Sequence, residues 1–440
     1  MIRAPFWPGD NFLAELERLK CKVEEVGARI VADDPAGPSI CASPFRWPPL
    51  GSLPRREWLF GNWLLKGELA TIIAPGGTGK STIGMTIALS LTSGRPLLGQ
   101  ALHRGPQSVW IFNLEDGPDE LDRQLAAASA YHGVRSADCG HRLFVDSGLV
   151  QPLCTATEDR EGFELNEKVF AQLTQTIRFN RIGVVIVDPF VSSHSANESS
   201  NEAIDAIAKR WKRLAHETSC AVVLVHHTRK LGGRDVTAED SRGAVALRDA
   251  ARIALTLNIM SKTEAEGFGI ADLKLRRSLV RIDMGKSNRA PADGATWIKL
   301  ESQNLENGTD TEPPDIVGVA ALWEQPDVFD GLTVWHLYQV QQLLKDGEWR
   351  QNVQANDWVG NLVAEVTGLS VSQDKGRIKS IIGAWLHSGA LKVERRADAK
   401  GNERPFIVVG NPVDPSEMGN PPHPEKWGGE SEEGGEDDSL

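Results

Sequence analysis

The sequence predicts an α/β protein with a mostly parallel sheet and helices on both faces, followed by a smaller C-terminal unit. From residue 69 to about 250, apolar strand-like runs alternate with helical segments, a pattern typical of parallel strands joined by crossover helices. A glycine-rich turn separates the first of these strands from the first helix. The length of 440 residues suits two domains plus tails better than one core.

The individual elements follow from the apolar periodicity. Residues 11–27 carry apolar positions at helical spacing and precede a Pro-rich connector, so an N-terminal helix and linker are predicted over 1–54. The α/β domain is expected over 55–305. Its predicted strands are 69–74, 108–114, 143–146, 183–188, 220–226, 252–258, 279–284 and 296–300, and its predicted helices are 80–92, 117–130, 164–179, 201–216 and 241–250.

The pattern changes between residues 316 and 411. Three helical segments near 333–345, 358–366 and 375–388 precede two strand-like runs that flank a charged turn. Helices followed by a hairpin with a charged tip predict a winged-helix-like domain over 316–411. Residues 412–440 are rich in Pro, Gly, Glu and Ser, and a disordered acidic tail is expected there.

The stretch from Ala74 to Thr82 reads Ala-Pro-Gly-Gly-Thr-Gly-Lys-Ser-Thr and links a predicted buried strand to a predicted helix. Glycines let backbone N–H groups curl around a phosphate, and the positive end of the helix adds to the attraction. The lysine and the hydroxyl that follow suit the β- and γ-phosphates and Mg²⁺. We therefore predict an ATP and Mg²⁺ site formed by Pro75, Gly76, Gly77, Thr78, Gly79, Lys80, Ser81 and Thr82, with Ser81 as a metal ligand.

Two further predicted strands end in carboxylates, which phosphoryl transfer needs for metal placement and for orienting water. Asp188 ends the strand 183–188 and is expected to hold Mg²⁺ through water; the alternative is a carboxylate that caps the next turn. Glu115 follows the strand 108–114 and is assigned to activate the attacking water. Asp116 competes for that role, and capping of the next helix by both is the alternative.

Two adjacent histidines, His226 and His227, end the strand 220–226. A polar side chain at this position can contact the γ-phosphate and report its loss to the following loop. We select His227 as this sensor, and a pair of core histidines is the alternative interpretation.

In chain order, the glycine-rich loop, Leu-Glu-Asp, Val-Ile-Val-Asp and Val-His-His-Thr resemble the motifs of RecA-like ATPases. They are most similar to those of the RepA-type hexameric replicative helicases of plasmids and phages. The similarity runs from about Trp58 to Glu301. It implies a RecA-like P-loop NTPase core, a ring (expected to be a hexamer) with ATP at the subunit interfaces, and single-stranded DNA in the central channel.

The resemblance also implies that a neighbouring subunit donates an arginine to the γ-phosphate, a contact worth roughly 10³–10⁵ in rate. The segment that ends at Arg252 is similar to the family's segment for this role. Lys286-Ser-Asn-Arg289 resembles a Lys-x-Arg pair that related rings use, with one extra residue. The arginine therefore stays open between Arg252 and Arg289, with a surface charge as the alternative for each.

Two loops after the catalytic strands, 190–198 and 229–239, correspond to channel-lining loops in RecA-like rings. In the second, Arg229, Lys230 and Arg234 flank two glycines and suit flexible contact with DNA phosphates. A solvated loop is the alternative. The basic run at Lys274, Arg276, Arg277 and Arg281 is interpreted as an ordinary charged face, with a second DNA-contacting patch as the alternative.

The predicted winged-helix-like domain offers a second basic surface. Arg377 and Lys379 lie on its predicted recognition helix, and the hairpin holds further cations that suit phosphates. Docking of replication or recombination proteins on this domain or on the acidic tail is an equal alternative. The predicted hairpin contacts are Arg395, Arg396, Lys400 and Arg404.

The formal net charge of -12 is unevenly distributed, because residues 421–440 carry seven acids and one lysine. The acidic total therefore does not exclude nucleic acid. Five scattered cysteines without a metal-type pair favour a reducing compartment and no metal apart from Mg²⁺. No signal-peptide core or apolar run of about 20 residues is found, so a cytoplasmic protein without membrane contact is expected.

These observations predict an ATP hydrolase, and more finely a helicase that translocates on single-stranded DNA. Two other classes stay open. One is an ATP-switched recombination mediator or helicase loader that does not unwind DNA. The other is an ATP-regulated control protein that binds duplex DNA through its C-terminal domain.

Overall fold

The fold is that of a computed structural model, which describes residues 42–159, 162–228, 244–268, 270, 272–287, 294–324, 327–397, 402–414 and 416. The predicted helix at 11–27, the loop at 229–239 and nearly all of the acidic tail lie outside these residues. The chain divides into two compact units, Met1–Arg55 and Arg56–Leu440. In the first unit, the described residues contain a 3-10 turn at Leu50–Ser52.

The described residues of the second unit form sixteen strands and eleven α-helices. The strands are β1 (Trp58–Phe60), β2 (Leu64–Leu65), β3 (Leu69–Pro75), β4 (Val109–Asn113), β5 (Leu143–Ser147), β6 (Ala156–Asp159), β7 (Gly162–Leu165), β8 (Val184–Asp188), β9 (Ala221–Thr228), β10 (Ile253–Ile259), β11 (Leu279–Ser287), β12 (Thr296–Asn304), β13 (Ile316–Leu322), β14 (Trp349–Arg350), β15 (Leu391–Ala397) and β16 (Glu403–Val409). The helices are α1 (Lys80–Ser93), α2 (Pro118–His132), α3 (Ser136–Cys139), α4 (Glu167–Phe179), α5 (Asn201–Thr218), α6 (Ala244–Ala250), α7 (Lys262–Gly267), α8 (Leu273–Ser278), α9 (Val334–Leu343), α10 (Val359–Thr367) and α11 (Lys375–His387).

Nine strands form the central sheet in the order β13-β12-β11-β10-β3-β9-β8-β4-β5. The six strands from β10 to β5 run parallel, and β11, β12 and β13 are added antiparallel at one edge. Helices connect the parallel strands, as right-handed crossovers require. The prediction of an α/β fold with a mostly parallel sheet is therefore confirmed.

The alternation of side chains in β9 separates two layers of core. Val223 and Val225 pack in one cluster with residues of α1. Val222 and Leu224 pack in another cluster with residues of α4, α5 and α6. Because successive side chains of a strand point to opposite faces, the face of each residue at a strand end follows from its neighbours.

The central sheet extends beyond the boundary predicted at residue 305. Residues 316–322, expected to open the C-terminal domain, form the edge strand β13, which pairs with β12 from Ile298↔Leu322 to Asn304↔Ile316. Across this strand, the Ala320 carbonyl lies 3.4 Å from Thr86 Oγ1 and 2.9 Å from a ring nitrogen of His132. A strand that pairs after an irregular connection leaves no local sequence signal, which explains why it was not predicted.

An antiparallel hairpin, β6–β7, replaces the start of the helix predicted at 164–179. The Asn166 side chain accepts a hydrogen bond from Val169 N, so this residue caps α4 and the helix begins at Glu167. The residues before the cap are extended and pair with β6.

The C-terminal module, residues 327–414, is built around its own apolar core. Its elements follow in the order α9, β14, α10, α11, β15 and β16, and its antiparallel sheet has the order β14-β16-β15. The register of the last hairpin sets Arg396 opposite Arg404. None of the helices in the described residues has the length and apolarity that a bilayer span needs.

Candidate nucleotide-binding site

The glycine-rich turn lies between the end of β3 and the first residue of α1, as predicted. Gly77 and Gly79 have φ of 80° and 76°, which favour glycine. A Cβ on Gly79 would lie 2.6 Å from Cδ2 of Leu300, whereas Cβ atoms on Gly76 or Gly77 would meet nothing within 4 Å. The outer part of the turn is therefore open to a ligand, and its inner part is packed against β12.

Lys80 begins α1 and folds back over the turn. Its Nζ donates hydrogen bonds to the Ala74 carbonyl at 3.1 Å and the Pro75 carbonyl at 2.7 Å. Thr78 Oγ1 donates to the same Pro75 carbonyl at 2.9 Å. Burial lowers the pKa of Lys80 to about 8, against the charges of Asp188 and Glu115, which raise it. Lys80 thus places a buried ammonium group at this turn, where it can bind an anion.

Asp188 ends β8 on the face that packs against α1, because Ile186, two residues earlier, belongs to that cluster. Asp188 is 5% exposed. Burial raises the pKa of Asp188 to about 6, against a hydrogen bond from Ser81 and the charge of Lys80, which lower it. A hydroxyl and a buried carboxylate in contact form an oxygen-donor pair of the kind Mg²⁺ prefers, and Thr82 follows in the same turn of α1.

Glu115 and Asp116 follow β4. The turn that they form is held by Asn113, a residue that the sequence analysis did not identify. Buried Asn113 accepts hydrogen bonds from Glu115 N at 2.9 Å and Asp116 N at 2.8 Å through its Oδ1. Its Nδ2 donates to Asp116 Oδ2 at 3.2 Å, and Gln124 Nε2 donates to the same oxygen at 3.2 Å. An Asn at a strand end, two residues before a carboxylate, is the signal of such an Asx turn.

The charge of Glu115 is felt throughout the site. It raises the pKa values of Lys80, Asp188 and His227, so this carboxylate lies near all three groups. Asp116 is held by Asn113 and acts only on the pKa of Asp188 among these groups. This arrangement favours Glu115 over Asp116 as the group that faces a nucleotide.

The two histidines at the end of β9 point to opposite faces of the sheet. His227 continues the face of Val225 and pairs in register with Ala74, beside the glycine-rich turn. Burial and the charge of Lys80 lower its pKa. His226 is buried on the other face, 6.4 Å from the Phe190 ring, and burial lowers its pKa to about 4. The predicted sensor, His227, is thus the histidine on the face of the glycine-rich turn.

Arg252 lies at the opposite edge of the sheet. Its N–H donates to the carbonyl of Leu69, the first residue of β3, at 3.0 Å, and its Nε is 4.0 Å from Glu68 Oε2. The seven residues of β3 span about 20 Å. Arg252 therefore lies too far to reach the glycine-rich turn of its own subunit. Arg289, the other candidate, lies outside the described residues.

Cations at this edge hold the end of α6. Lys286 Nζ donates to the carbonyls of Arg248 at 3.0 Å and Asp249 at 3.1 Å, and Lys212 Nζ donates to Ala250 O at 3.3 Å. Lysines at a helix C-terminus satisfy its last carbonyls. Lys286, which the sequence grouped with Arg289, thus contacts the segment that leads to Arg252.

The first predicted DNA loop, 190–198, is packed onto the neighbouring hairpin. Thr155 N donates to the Ser193 carbonyl at 2.7 Å, and Asn197 N donates to Glu158 Oε2 at 2.7 Å. This anchoring beside a carboxylate argues against phosphate contacts by that loop. The predicted contacts Arg229, Lys230 and Arg234 lie outside the described residues.

Two of the four cations in the basic run at 274–281, Arg276 and Arg281, are engaged within the fold. Arg281 pairs with Glu264 and, at 2.7 Å, with Asp283 Oδ2. Arg276 Nη1 donates to the Met260 carbonyl at 3.0 Å. These contacts agree with the interpretation of the run as an ordinary charged face.

Two comparisons show similarity of this chain to known proteins. Residues 41–233, fewer than half of the chain, match a family model described as an AAA domain, and the match includes Lys80, Glu115, Asp188 and His227. A crystal structure of the RadB recombinase aligns with 54% of this chain and 88% of that chain, at 12% identity and a TM-score of 0.35. The family match and the site together support a P-loop ATPase core.

Proposed function

We propose that this protein is a Mg²⁺-dependent ATPase whose site is completed by a second copy. One observation carries the proposal: Lys80, Ser81, Glu115, Asp188 and His227 converge at the carboxyl edge of the sheet on the face of α1. Carboxyl ends of parallel strands are where open α/β sheets bind ligands. No other cluster in the described residues joins a glycine-rich turn to buried groups of both charges.

Each residue has a distinct task in this proposal. Lys80 and the backbone N–H groups of residues 76–79 contact the phosphates. Ser81 and Asp188 would hold Mg²⁺, which when bound neutralises charge on the β- and γ-phosphates. Glu115 accepts a proton from the attacking water at a carboxylate oxygen. His227 contacts the γ-phosphate and passes its loss to the loop that follows β9.

The position of Arg252 supports action in trans. An arginine at the amino edge of the sheet can meet a nucleotide at the carboxyl edge of another copy only in a head-to-tail contact. Such heterologous contacts close into rings or continue as filaments. We propose a ring, expected to be a hexamer, with Arg252 or Arg289 reaching the neighbour's γ-phosphate.

For this ring, we propose translocation on single-stranded DNA as a replicative-type helicase, which the resemblance of the four motifs supports. The alternative is a recombination mediator or helicase loader that hydrolyses ATP slowly and does not unwind DNA. The order of elements in the C-terminal module suits a winged helix, which supports a third candidate, an ATP-regulated protein that binds duplex DNA.

ATP hydrolysis by the full chain separates these candidates. Turnover is measured without DNA, with single-stranded DNA and with duplex, and Lys80→Ala serves as the control. We expect single strands to stimulate hydrolysis and Lys80→Ala to abolish it. Near-normal turnover by Lys80→Ala would reject the site. A slow rate indifferent to single strands would instead favour the loader or mediator.

A further inference from the structure

Phe179 is the most exposed large apolar side chain among the described residues of the second unit, at 85%. It is the last residue of α4, and Ile182 N donates to the Ile177 carbonyl at 2.9 Å where that helix ends. Gly183, one residue before β8, donates to the carbonyl of Ser108, one residue before β4. Phe179 therefore lies at the amino edge of the central sheet, opposite the edge that carries the glycine-rich turn.

The next two side chains in order of exposure, Val150 at 72% and Leu149 at 66%, lie at the carboxyl edge, shortly after β5. A hydrogen-bonded turn holds them, because Val150 N donates to the Ser147 carbonyl at 3.1 Å and Leu149 N donates to Ser147 Oγ at 3.2 Å. Ser147 Oγ donates in turn to the Asp116 carbonyl at 2.6 Å. The apolar pair is thus fixed in place and attached to the turn that carries Glu115.

The charges around Phe179 are positive. Arg178 and Arg181 flank it, and both are exposed. Arg178 donates to the Glu217 carbonyl at 3.1 Å, and the carboxylate of Glu217 is already paired with Arg213 at 2.7 Å. The site at the amino edge is therefore an apolar side chain with a cationic rim.

The charges around Leu149 are negative. A Cβ on Gly117 would lie 4.0 Å from Leu149 Cδ1, and this glycine lies between Glu115 and Asp119, which are both exposed. Arg123, one turn further along α2, has ion pairs of its own. The site at the carboxyl edge is therefore an apolar pair with an acidic rim, complementary to the site around Phe179.

The backbone of Arg181 gives a second indication of a partner. Its φ of 52° is left-handed, a conformation that costs a side chain about 1–2 kcal/mol and that glycine adopts freely. Among the described residues, its guanidinium makes no hydrogen bond or ion pair. A strained position that holds an exposed, unengaged arginine points to a contact outside the chain.

The order of the strands places both sites in the same contact. In the order β10-β3-β9-β8-β4-β5, the proposed head-to-tail contact brings Arg252, before β10, to the glycine-rich turn after β3, a shift of one strand. The same shift brings the start of β8, with Phe179, to the end of β4. The turn of Leu149 and Val150 follows β5, the next strand, about 5 Å away.

We propose that Phe179 of one copy packs on Leu149 and Val150 of the next copy, with the arginines beside Phe179 facing the acids beside Leu149. This contact rests on the head-to-tail arrangement of the proposed function and names the surface that forms it. The occupant is a second copy, because both complementary halves lie on this chain. Since the Leu149–Val150 turn is attached to Asp116, the contact also braces the turn that carries Glu115.

Single-stranded DNA is the other polymer that suits an exposed aromatic ring between arginines. It would leave the apolar pair at the opposite edge without a partner, and the acids beside that pair would repel phosphates. The two sites together therefore favour a second copy over DNA.

In contrast to Arg181, two cations predicted to contact DNA in the C-terminal module are engaged within the fold. Arg377 donates to the carbonyls of Val328, at 3.0 Å from its Nε, and Asp330. Arg396 Nε lies 3.1 Å from the Glu394 carboxylate, and α11, the predicted recognition helix, packs against α7. These contacts correct the prediction of Arg377 as a DNA contact.

The test measures the mass of the full chain by analytical ultracentrifugation over a concentration series, with and without MgADP, for Phe179→Asp and Val150→Asp. Each variant alone should self-associate at least about tenfold more weakly than the unaltered protein. An equimolar mixture should form a species of twice the monomer mass and none larger, because it holds one intact pair of sites. Leu273→Asp, at an exposed leucine of α8, should assemble like the unaltered protein.

Thermal melts check that the variants remain folded. A monomeric unaltered protein, undiminished self-association of either variant, an equal loss in Leu273→Asp, or a mixture that does not pair would overturn the proposal. Loss of single-stranded DNA binding by Phe179→Asp with unchanged self-association would identify DNA as the occupant and likewise overturn it.

Binding of fluorescent ADP by the same samples separates this proposal from the ATPase, because each chain carries its own glycine-rich turn. Pairing in the mixture without ADP binding by any of the proteins would reject the ATPase and leave the contact. Normal ADP binding without pairing in the mixture would reject the contact and leave the nucleotide site.

Discussion

Asn113 offers a direct test of whether the position of Glu115, the proposed catalytic carboxylate, matters as much as its presence. Replacing Asn113 by alanine removes the acceptor for Glu115 N and Asp116 N and the donor to Asp116 Oδ2. The carboxylate of Glu115 itself is untouched. The variant therefore asks whether the turn after β4 must be held for hydrolysis to occur.

The size of the effect follows from the contacts. Two lost hydrogen bonds to backbone N–H groups at a buried side chain destabilise the fold by about 1–3 kcal/mol. This is smaller than a typical domain stability of about 5–15 kcal/mol, so the variant should remain folded. A misplacement of Glu115 by about 1 Å lowers turnover roughly 10²-fold, equivalent to about 2.7 kcal/mol of barrier. The kinetic loss should thus be visible in folded protein.

The assay compares steady-state ATP hydrolysis and nucleotide affinity for Asn113→Ala, Glu115→Gln and Gln124→Ala. We expect Asn113→Ala to approach Glu115→Gln in turnover while nucleotide affinity stays near normal. Gln124→Ala removes a donor to Asp116 and a second hydrogen bond, at 3.4 Å to Glu120 Oε1, and should leave turnover within about twofold of the unaltered protein. Turnover of Asn113→Ala within about twofold of the unaltered protein would refute the role of Asn113 in placing Glu115. A severe loss of turnover in Gln124→Ala would indicate that Asp116, not Glu115, is the general base.

Three further predictions concern the same site. Both Gly79→Ala and Gly77→Ala introduce about 1–2 kcal/mol of backbone strain, because both glycines have positive φ, and Gly79→Ala also introduces a steric clash with Leu300. Gly79→Ala should therefore lower the melting temperature more than Gly77→Ala. Equal shifts of the melting temperature would contradict the packing of Gly79 against Leu300. The Lys80 pKa of about 8 leaves the ammonium charged below that pH, so ADP affinity should fall about tenfold per pH unit above it. In a titration with fluorescent ADP from pH 7 to 9.5, Lys80→Arg should show no such fall. A pH-independent affinity of the unaltered protein would contradict this prediction. His227→Gln should lower turnover with little change in stability, and His226→Gln should lower mainly stability; the reverse pattern in paired melts and rate assays would exchange their roles.

The site was largely predictable because its residues occur at the ends of strongly apolar strands. The glycines before Lys80 have the spacing of a phosphate-binding turn. Asp188 ends an apolar run that is typical of a buried strand. The sequence assigns Glu115 with Asp116 as a competitor, since both follow the same strand. The hydrogen bonds of Asn113 and the effect of the Glu115 charge on the pKa values of Lys80, Asp188 and His227 separate them.

Features that depend on contacts between residues distant in sequence were harder to predict from the sequence. β13 pairs with β12 after an irregular connection, and its apolar run gave no sign of which sheet it joins. The packing of α11 on α7 depends on two segments more than 100 residues apart in sequence. Side-chain alternation in a strand places adjacent residues such as His226 and His227 on opposite faces, but the sheet register is needed to show that the glycine-rich turn lies on the face of His227.

Subunit mixing tests the central claim most directly, namely that Arg252 of one copy completes the site of another. Arg252→Ala and Lys80→Ala proteins are each assayed alone and then mixed in equal amounts, with the mass of the assembly measured in parallel. Each variant alone should be inactive, and random mixing should restore about a quarter of the unaltered rate, because one interface in four pairs an intact Lys80 with an intact Arg252. Full activity of Arg252→Ala alone, or no recovery in a mixed assembly of normal mass, would contradict the role of Arg252 in trans.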